Sequence, residues 1–384
     1  MTPTRPSGHP AALHWDVFCR VIDNHGDVGV CWRLSADLAA RGHAVRLWID
    51  DASALTWMAP VGADGVQLQP WRDPLDHEQP GDVVVEAFGC DPPSAFVARM
   101  AASARPPLWI NLEYLSAEPY VERSHGLRSP QLSGPACGLD KWFFYPGFTA
   151  ATGGLLREAG VLPAAVETVS DRPLHLTLFS YDPSGLSGLR KALAALPCGA
   201  RVDVTPGWSA RSVVSRLGLA LDEAVPVRDG VITWQALPHV DQPGFDRQLR
   251  ASDLLLVRGE DSLVRALWSG RPFVWQLYPQ DDGAHADKLE AFLGLYLKGA
   301  EPALVKPLAA VWRSWNGLDS PASGNAGDDT AAASAWARLL PDQPLWPVWQ
   351  AWALKRAMDM LALPDLVSRL LDFIDLRRGD IQTV

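Results

Sequence analysis

The chain has 384 residues, of which 48% are hydrophobic and 20% are charged, as is usual for a globular protein. Its formal net charge of −10 argues against nucleic acid as a main partner. The first residues have no signal-peptide pattern and no apolar run approaches a membrane span. The five cysteines lack metal-finger or disulfide-framework spacing, which favours buried thiols in a reducing compartment. We therefore expect a cytoplasmic protein that does not enter membranes.

Residues 1–155 are predicted to form an α/β domain. A strand at Trp15–Ile22, a helix at Val30–Ala40 and a strand at Val45–Ile49 make a βαβ unit, and such units build parallel sheets. Two more apolar strands are predicted at Val83–Phe88 and Leu108–Leu112. This order of elements is typical of a doubly wound, Rossmann-like domain.

A second series of strands and helices follows a less patterned linker at residues 156–173. The predicted elements are strands at Leu174–Phe179, Arg201–Val204, Val231–Trp234 and Leu254–Val257, and a helix at Leu186–Leu196. They indicate a second Rossmann-like domain over residues 174–360. We therefore expect two such domains that face each other across a cleft, with ligands at the carboxyl ends of the strands.

Two later segments have a different composition. Gly317–Ser334 is rich in Gly, Ala, Ser and Asp, which predicts a surface loop or a disordered insertion. Trp346–Leu376 has helical apolar periodicity. Its last part, within residues 361–384, is expected to cross back to the N-terminal domain.

The junction RGEDS, residues 258–262, follows one predicted strand and precedes a short helix at Leu263–Trp268 that Gly270 ends. Asp261 or Ser262 can cap this helix, which leaves its first N–H groups free for an anion. Arg258 can pair with phosphate, and Glu260 or Asp261 can accept from a ribose hydroxyl. The alternative is a surface ion pair beside an ordinary helix cap.

The first predicted strand is followed by a turn, DNHGDVGV, with two carboxylates, Asp23 and Asp27. Gly26 and Gly29 allow another molecule to approach the backbone closely. Two carboxylates suit a cation, or a nucleophile that must lose a proton. The alternative is that Asp27 caps the following helix and Asp23 makes an Asx turn.

Other candidate binding residues follow strand ends. Phe179 and Tyr181 in the second domain could stack a base, as could Phe245 in a later loop, although a single aromatic more often belongs to a core. Glu113 and Tyr114 could line the first domain's side of the cleft, or be structural. The nine histidines show no HExxH pattern, so no metal site is predicted.

Four segments together resemble the elongation factor P arginine rhamnosyltransferases, the EarP family: WDVFCRVIDNHGDVGVCWRLSADLA, INLEYLSAE, KWFFYPGFTAATGGLLRE and LLLVRGEDSLVRALWSGRPFVWQLYPQ. The resemblance runs from about Trp15 to the C-terminal helices. It implies a GT-B glycosyltransferase fold and an inverting, metal-independent transfer of L-rhamnose from dTDP-β-L-rhamnose. The acceptor would be an arginine side-chain nitrogen of elongation factor P, which the sugar activates for translation of polyproline stretches. No cofactor is implied, because the sugar nucleotide is a co-substrate.

The resemblance also assigns residues, motif by motif. The catalytic set would be Asp27 as general base, Asp23 gripping the acceptor guanidinium, and Glu260, which binds a hydroxyl or positions Arg258. The donor would be held by Phe179, Tyr181, Gln242, Phe245, Arg258, Asp261, Ser262 and Tyr278. The acceptor side would comprise Asn24, Gly26, Glu113 and Tyr114. The chain departs from the family at His239, where related sequences carry a phenyl ring, and in the Gly317–Ser334 insertion.

Two other classes of protein fit the residues less well. A Rossmann oxidoreductase or sugar-nucleotide epimerase would need a GxGxxG turn, and the first turn here is flanked by acids instead. A non-catalytic binding module could use some of the seventeen tryptophans to grip a partner. That alternative leaves the carboxylates at two separate strand ends unexplained.

Overall fold

The computed structural model describes residues 12–22, 25–72, 75, 78–163, 171–280, 283–318 and 328–382. Its first half builds one sheet and its second half another. The first half contains β1 (His14–Cys19), α1 (Gly26–Ala40), β2 (Ala44–Ile49), α2 (Leu55–Met58), β3 (Val66–Pro70), β4 (Val83–Ala87), α3 (Ser94–Ala102), β5 (Leu108–Leu112), α4 (Tyr120–Ser124), β6 (Arg128–Pro130) and β7 (Asp140–Phe144).

The second half begins with β8 and ends in a run of helices. Its elements are β8 (Leu174–Leu178), α5 (Leu186–Leu193), β9 (Ala200–Val204), α6 (Trp208–Leu217), β10 (Val227–Asp229), β11 (Ile232–Ala236), α7 (Gln242–Ala251), β12 (Leu254–Arg258), α8 (Gly259–Ser269), β13 (Phe273–Gln276), α9 (Ala284–Tyr296), α10 (Pro302–Trp315), α11 (Asp328–Ala337), α12 (Leu345–Leu361) and α13 (Leu366–Gln382).

Both sheets have the strand order of a doubly wound fold. The first runs β3-β2-β1-β4-β5-β7-β6 and the second β10-β11-β9-β8-β12-β13. All pairs are parallel except β6 with β7 and β10 with β11, at one edge of each sheet. The central strands are buried along their length because helices cover both faces, which explains apolar runs such as VVV in β4 and LLLV in β12. The predicted α/β architecture of two Rossmann-like units is confirmed.

Several element boundaries differ from the predictions. Strand β1 ends at Cys19 rather than Ile22, which is 71% exposed. Helix α1 begins at Gly26, four residues before the predicted Val30, so it includes Asp27 in its first turn. Because α1 starts so early, the glycine-bearing turn is shorter than its sequence suggests.

The predicted loop at Gly317–Ser334 is wrong in its last part. Residues 319–327 lie outside the described ranges, but Asp328–Ala337 forms helix α11. This helix packs on α5, where a side chain at Gly188 would collide with Ala332. Further along α11, Trp336 is fully buried against Trp315 of α10. Tertiary packing therefore stabilises a helix in a segment whose composition resembles a loop.

The helical stretch predicted at Trp346–Leu376 is two helices, α12 and α13, because Pro364 interrupts it. Four apolar residues of α13 complete the core beneath the first sheet: Leu366, Val367, Leu370 and Ile374. At the end of α1, the Arg41 guanidinium donates to Asp365 at 2.7 Å and to Ser368 at 2.8 Å. The end of the chain is thus built into the first half.

Cys19, Cys31 and Cys90 are buried, but Cys137 and Cys198 are exposed, so the prediction of five buried thiols is wrong for those two. No helix within the described ranges is long and apolar enough to cross a membrane.

Candidate functional site

A cleft of about 320 Å³ lies between the two halves. Its walls in the second half follow the carboxyl ends of β8, β9, β11 and β12, where a doubly wound fold binds its ligands. The first half contributes four residues, His25 and Gly26 after β1, and Trp57 and Met58 in α2. The predicted residues that line this cleft are Gly26, Phe179, Tyr181, Gln242, Phe245, Arg258, Glu260, Asp261 and Ser262.

Arg258 ends β12 and stands immediately before helix α8. Its guanidinium lies between two aromatic rings, with Cζ 4.7 Å from the ring centroid of Phe179 and 4.4 Å from that of Tyr181. Cation–π contacts of this kind fix the plane of a guanidinium while leaving its edges able to donate hydrogen bonds. The arginine is therefore held in the cleft beside the positive end of a helix.

The start of α8 corrects the predicted helix cap. The helix begins at Gly259, whose φ of +65° turns the chain directly out of the strand. Asp261 and Ser262 consequently lie within the first turn and do not cap it. The Ser262 hydroxyl instead accepts from the backbone N–H of Arg258 at 3.1 Å and donates to the Arg258 carbonyl. Ser262 thus fixes the backbone of the residue that presents the guanidinium.

The aromatic residues of the cleft are fixed in place by ring contacts and by a backbone hydrogen bond. The rings of Phe179 and Phe245 meet edge to face at 5.1 Å, and Tyr181 meets Tyr278 at 5.3 Å. The backbone N–H of Tyr181 donates to the Gln276 side chain at 2.8 Å. Tyr278 is 57% exposed and lies outside the cleft lining, behind Tyr181.

Glu260 and Gln242 both bond across the two halves. Glu260 Oε2 accepts from the backbone N–H of Leu115, after β5, at 2.9 Å. Gln242 Nε2 donates to the Gly29 carbonyl in α1 at 3.1 Å. Neither contact was expected from the sequence. Both place donor-side candidates on the boundary between the halves.

Asp27 lies in the first turn of α1 and is only 3% exposed. Its Oδ2 accepts from the backbone N–H of Ile22 at 2.8 Å, which closes the turn between β1 and α1. The adjoining residues His25 and Gly26 line the cleft. Asp23 and Asn24 lie outside the described residues.

Glu113 and Tyr114 follow β5 but do not line the main cleft. Burial raises the pKa of Glu113, although the Asn111 amide donates to its carboxylate at 2.9 Å. Tyr114 stacks on Phe88 at 4.4 Å between ring centroids, and Phe88 has a φ of +58°. A strained aromatic residue at a strand end often belongs to a functional region. Phe88 was not among the predicted site residues.

The sequence profile of the family "Elongation-Factor P (EF-P) rhamnosyltransferase EarP" matches residues 15–375. A protein-arginine rhamnosyltransferase of Pseudomonas putida is 41% identical over 388 aligned residues, covering 94% of this chain and 98% of that protein. The chain belongs to the EarP family. The resemblance found in the four sequence segments is confirmed.

One solved structure agrees with this membership, and a second shows the fold alone. One concerns EarP-mediated arginine glycosylation of translation elongation factor EF-P; it is 30% identical with a TM-score of 0.62, covering 94% of this chain and 98% of that chain. A calicheamicin glycosyltransferase, 15% identical with a TM-score of 0.51, covers 96% of this chain and 99% of its own and shares the fold. The fold is therefore GT-B, and the protein is a glycosyltransferase of a rhamnosyltransferase family.

The cleft lining of this EarP family member also contains aromatic and charged residues that were not predicted as ligand contacts, among them Trp57, Trp208 and Arg211. Trp57 of the first half contacts His25 at 5.1 Å and His239 of the second half at 4.5 Å, between ring centroids. Elsewhere in the lining, the Arg211 guanidinium lies 4.5 Å from the ring centroid of Trp208. Pro206-Gly207 before Trp208 marks a strand-end turn in the sequence, and this was the available signal. No sequence signal marked Trp57, because α2 is too short to show a periodic pattern.

A polar cluster of two arginines and three carboxylates lies next to the cleft, and we call it the Arg33 cluster: Arg33, Glu158, Asp246, Asp261 and Arg265. Arg33 of α1 is 5% exposed at its side chain. Burial lowers the pKa of Arg33, but the surrounding carboxylates raise it by more, and Asp261 has the largest effect among them. The guanidinium therefore stays charged. The ion pair between Asp261 and Arg33 was not predicted from the sequence.

Acidification is expected to lower the unfolding free energy of this EarP family member through protonation of Glu158. Burial raises the pKa of Glu158, but Arg265 and Arg33 outweigh it and lower the pKa from 4.5 to about 2. Since the folded-state pKa is the lower one, this stabilisation is complete above about pH 4.5 and is lost as the pH falls towards 2. The full shift corresponds to on the order of 3 kcal/mol of unfolding free energy.

Urea unfolding of the wild-type protein and Glu158→Gln at about pH 6 and pH 3.5 would measure this dependence. The difference between the two proteins should shrink at the lower pH. The matched control is Glu290→Gln, which removes an exposed carboxylate paired with Arg313 and should change stability by no more than about 1 kcal/mol. A Glu158→Gln variant as stable as the wild type at pH 6 would contradict this role.

Proposed function

We propose that this protein transfers L-rhamnose from dTDP-β-L-rhamnose to an arginine side-chain nitrogen of elongation factor P, with inversion at C1. The observation that carries the proposal is the position of Arg258, held between Phe179 and Tyr181 in a cleft between two Rossmann-like halves. Family membership supports the sugar and the acceptor. The modified factor would then support translation of polyproline stretches.

The proposed division of the chain follows the two sheets. Residues 1–155 would form the acceptor-side domain, 156–173 the linker and 174–360 the donor-side domain. Residues 361–384 would belong again to the acceptor side, where α13 packs.

The donor diphosphate would be bound by Arg258 and the first N–H groups of α8. The guanidinium and the helix start are both positive where the leaving dTDP gains negative charge, and this is why the proposed reaction requires no metal. Phe179, Tyr181 and Phe245 supply apolar faces for the thymine and sugar. The proposed donor set is completed by Gln242, Asp261, Ser262 and Tyr278. Of these, Ser262 would fix the backbone of Arg258, and Tyr278 would support the ring of Tyr181.

The acceptor arginine would enter from the first half, near His25 and Gly26. An arginine is a poor nucleophile because its guanidinium is protonated and its lone pairs are delocalised. Asp23 would hold the cation, with Asn24, Glu113 and Tyr114 nearby on the acceptor side. Asp27 would take one N–H proton. A carboxylate that both orients the guanidinium and removes its proton fits this need.

The chemical step is a single displacement. The acceptor nitrogen forms a bond to C1 from one face while the bond from C1 to the diphosphate oxygen breaks on the other. The proton leaves the nitrogen for Asp27, and the electron pair of the broken bond leaves with dTDP. Glu260, bonded to Leu115 N–H, would keep the two halves aligned during this step. No cofactor is required beyond the two substrates, which would meet in the cytoplasm.

Intact-mass spectrometry of elongation factor P tests the proposal directly. After incubation with this protein and dTDP-β-L-rhamnose, we expect the mass of elongation factor P to rise by one deoxyhexose, located on an arginine by peptide fragmentation. Reactions without donor, or with dTDP alone, should give no shift. No shift with folded protein that binds dTDP would refute the proposed transfer.

A further inference from the structure

Arg33 is a buried arginine that joins helices from the two halves. From α1 it bonds Asp246 of α7 through two hydrogen bonds, Nη1 to Oδ2 at 2.9 Å and Nη2 to Oδ1 at 2.8 Å. Its Nε lies 2.9 Å from Asp261 Oδ1, in the first turn of α8. Nη1 also reaches Glu158 at 3.2 Å. A planar guanidinium can satisfy carboxylates in several directions at once, and lysine cannot.

The surroundings of Arg33 show how closely α1 is seated on the second half. A side chain at Gly29, one turn before Arg33, would meet Gln242 Nε2 and Met58 Cε at 3.3 Å. The Asp261 carboxylate would be 3.7 Å away. Helix α1 therefore touches both α7 and α8 at the level of the cleft.

The two helices joined by Arg33 carry opposite halves of the proposed chemistry. Helix α1 bears Asp27, about two turns before Arg33. Helix α8 begins directly after Arg258 and bears Asp261 in its first turn. A shift of α1 against α8 would change the separation of the base and the donor. A misplacement of about 1 Å can lower a rate on the order of 10²-fold.

The ion pair with Arg33 also changes the charge that Asp261 presents to the donor. Asp261 is an anion at the start of α8, where the donor diphosphate would bind. An unpaired carboxylate there would repel the diphosphate, and a close ion pair largely cancels that field. Glu260, the other acid of this turn, is bonded to the first half through Leu115.

We propose that Arg33 is a positioning residue for sugar transfer, which seats the base-bearing helix α1 on the donor helix α8 and neutralises Asp261 beside the diphosphate. The proposal rests on the proposed function, since it presumes an anionic donor at Arg258 and a base at Asp27. It assigns Asp261 a structural pairing rather than a direct contact with donor hydroxyls.

The test uses Arg33→Gln, Arg33→Lys, Asp261→Asn and the double variant Arg33→Gln/Asp261→Asn. For each we would measure Kd for dTDP by calorimetry and kcat for transfer to elongation factor P. In Arg33→Gln we expect Kd to rise at least tenfold and kcat to fall at least tenfold. Adding Asp261→Asn should restore Kd to within about threefold of the wild type while kcat stays low. A purely structural role would give no such rescue.

Arg33→Lys keeps the positive charge. It also keeps the test decisive if the neutral variant Arg33→Gln does not fold. We expect its Kd to stay within about threefold of the wild type and its kcat to fall about tenfold, because the ammonium cannot hold three carboxylates. A wild-type kcat in Arg33→Lys, or an unrestored Kd in the double variant, would overturn the inference. Failure of the wild-type protein itself to bind dTDP would instead refute the proposed function.

Discussion

Asp27→Asn is expected to lower kcat for transfer by about 10²- to 10⁴-fold, the usual contribution of a positioned general base. An asparagine has the same shape and its carbonyl can still accept from Ile22 N–H, so the turn before α1 should be kept. It cannot take the proton that the acceptor nitrogen must lose. Binding of dTDP should therefore be unchanged within about threefold while turnover is lost. Single-turnover assays with saturating donor would separate the two quantities.

The matched control for this variant is Asp37→Asn, on the same helix. Asp37 is also buried, but it pairs with Arg41 at the far end of α1, whereas Asp27 lies next to His25 and Gly26 of the cleft lining. It should cost stability without lowering kcat at a temperature where both variants are folded. If Asp27→Asn turns over like the wild type, the proton goes elsewhere and the assignment of the base is wrong.

Arg258→Ala is expected to raise Kd for dTDP about 100-fold, on the order of 3 kcal/mol, because it removes a charge-assisted contact to the diphosphate. The Kd of Arg258→Lys for dTDP should lie between those of the wild type and Arg258→Ala. Lysine retains the positive charge but lacks the planar guanidinium held between Phe179 and Tyr181. Isothermal titration with dTDP measures both. The loss should be smaller for thymidine, which lacks the phosphates.

Arg190→Ala provides the comparison for Arg258. Arg190 is a partly exposed arginine paired with Asp229 away from the cleft, so its removal should leave dTDP affinity unchanged. Equal affinity of Arg258→Ala and the wild type for dTDP would place the diphosphate at some other part of the cleft. Arg211, the second arginine of the lining, would then be the residue to replace.

The sequence predicted the central strands of both sheets, and the position of Arg258 at a strand end, because these signals are local. Apolar runs end at polar strand ends, and glycines mark the turns. The start of α8 was misplaced because Gly259 adopts a positive φ, which lets the helix begin right after the strand. Residue types alone suggested a cap at Asp261 or Ser262, three residues or more too late.

Arg33 could not be predicted, for a different reason. An arginine in an amphipathic helix is normally taken as solvent-facing, and its carboxylate partners Asp246 and Asp261 lie 213 and 228 residues away in sequence. The pairing of Asp261 was hidden for the same reason. Helix α11 was missed because its burial depends on Gly188 of α5. Long-range packing, which one sequence does not display, decides these residues.

The position of α13 has a consequence for how the protein folds. Arg41 at the end of α1 bonds Asp365, 324 residues later, and Ile374 lies in the same core as β1. Contacts between such distant segments close slowly, because the intervening chain must first be ordered. We expect the apolar surface that α13 covers to stay exposed during synthesis until the second unit and α13 have been made. We therefore expect the first half to reach its full stability only after α13 has been made.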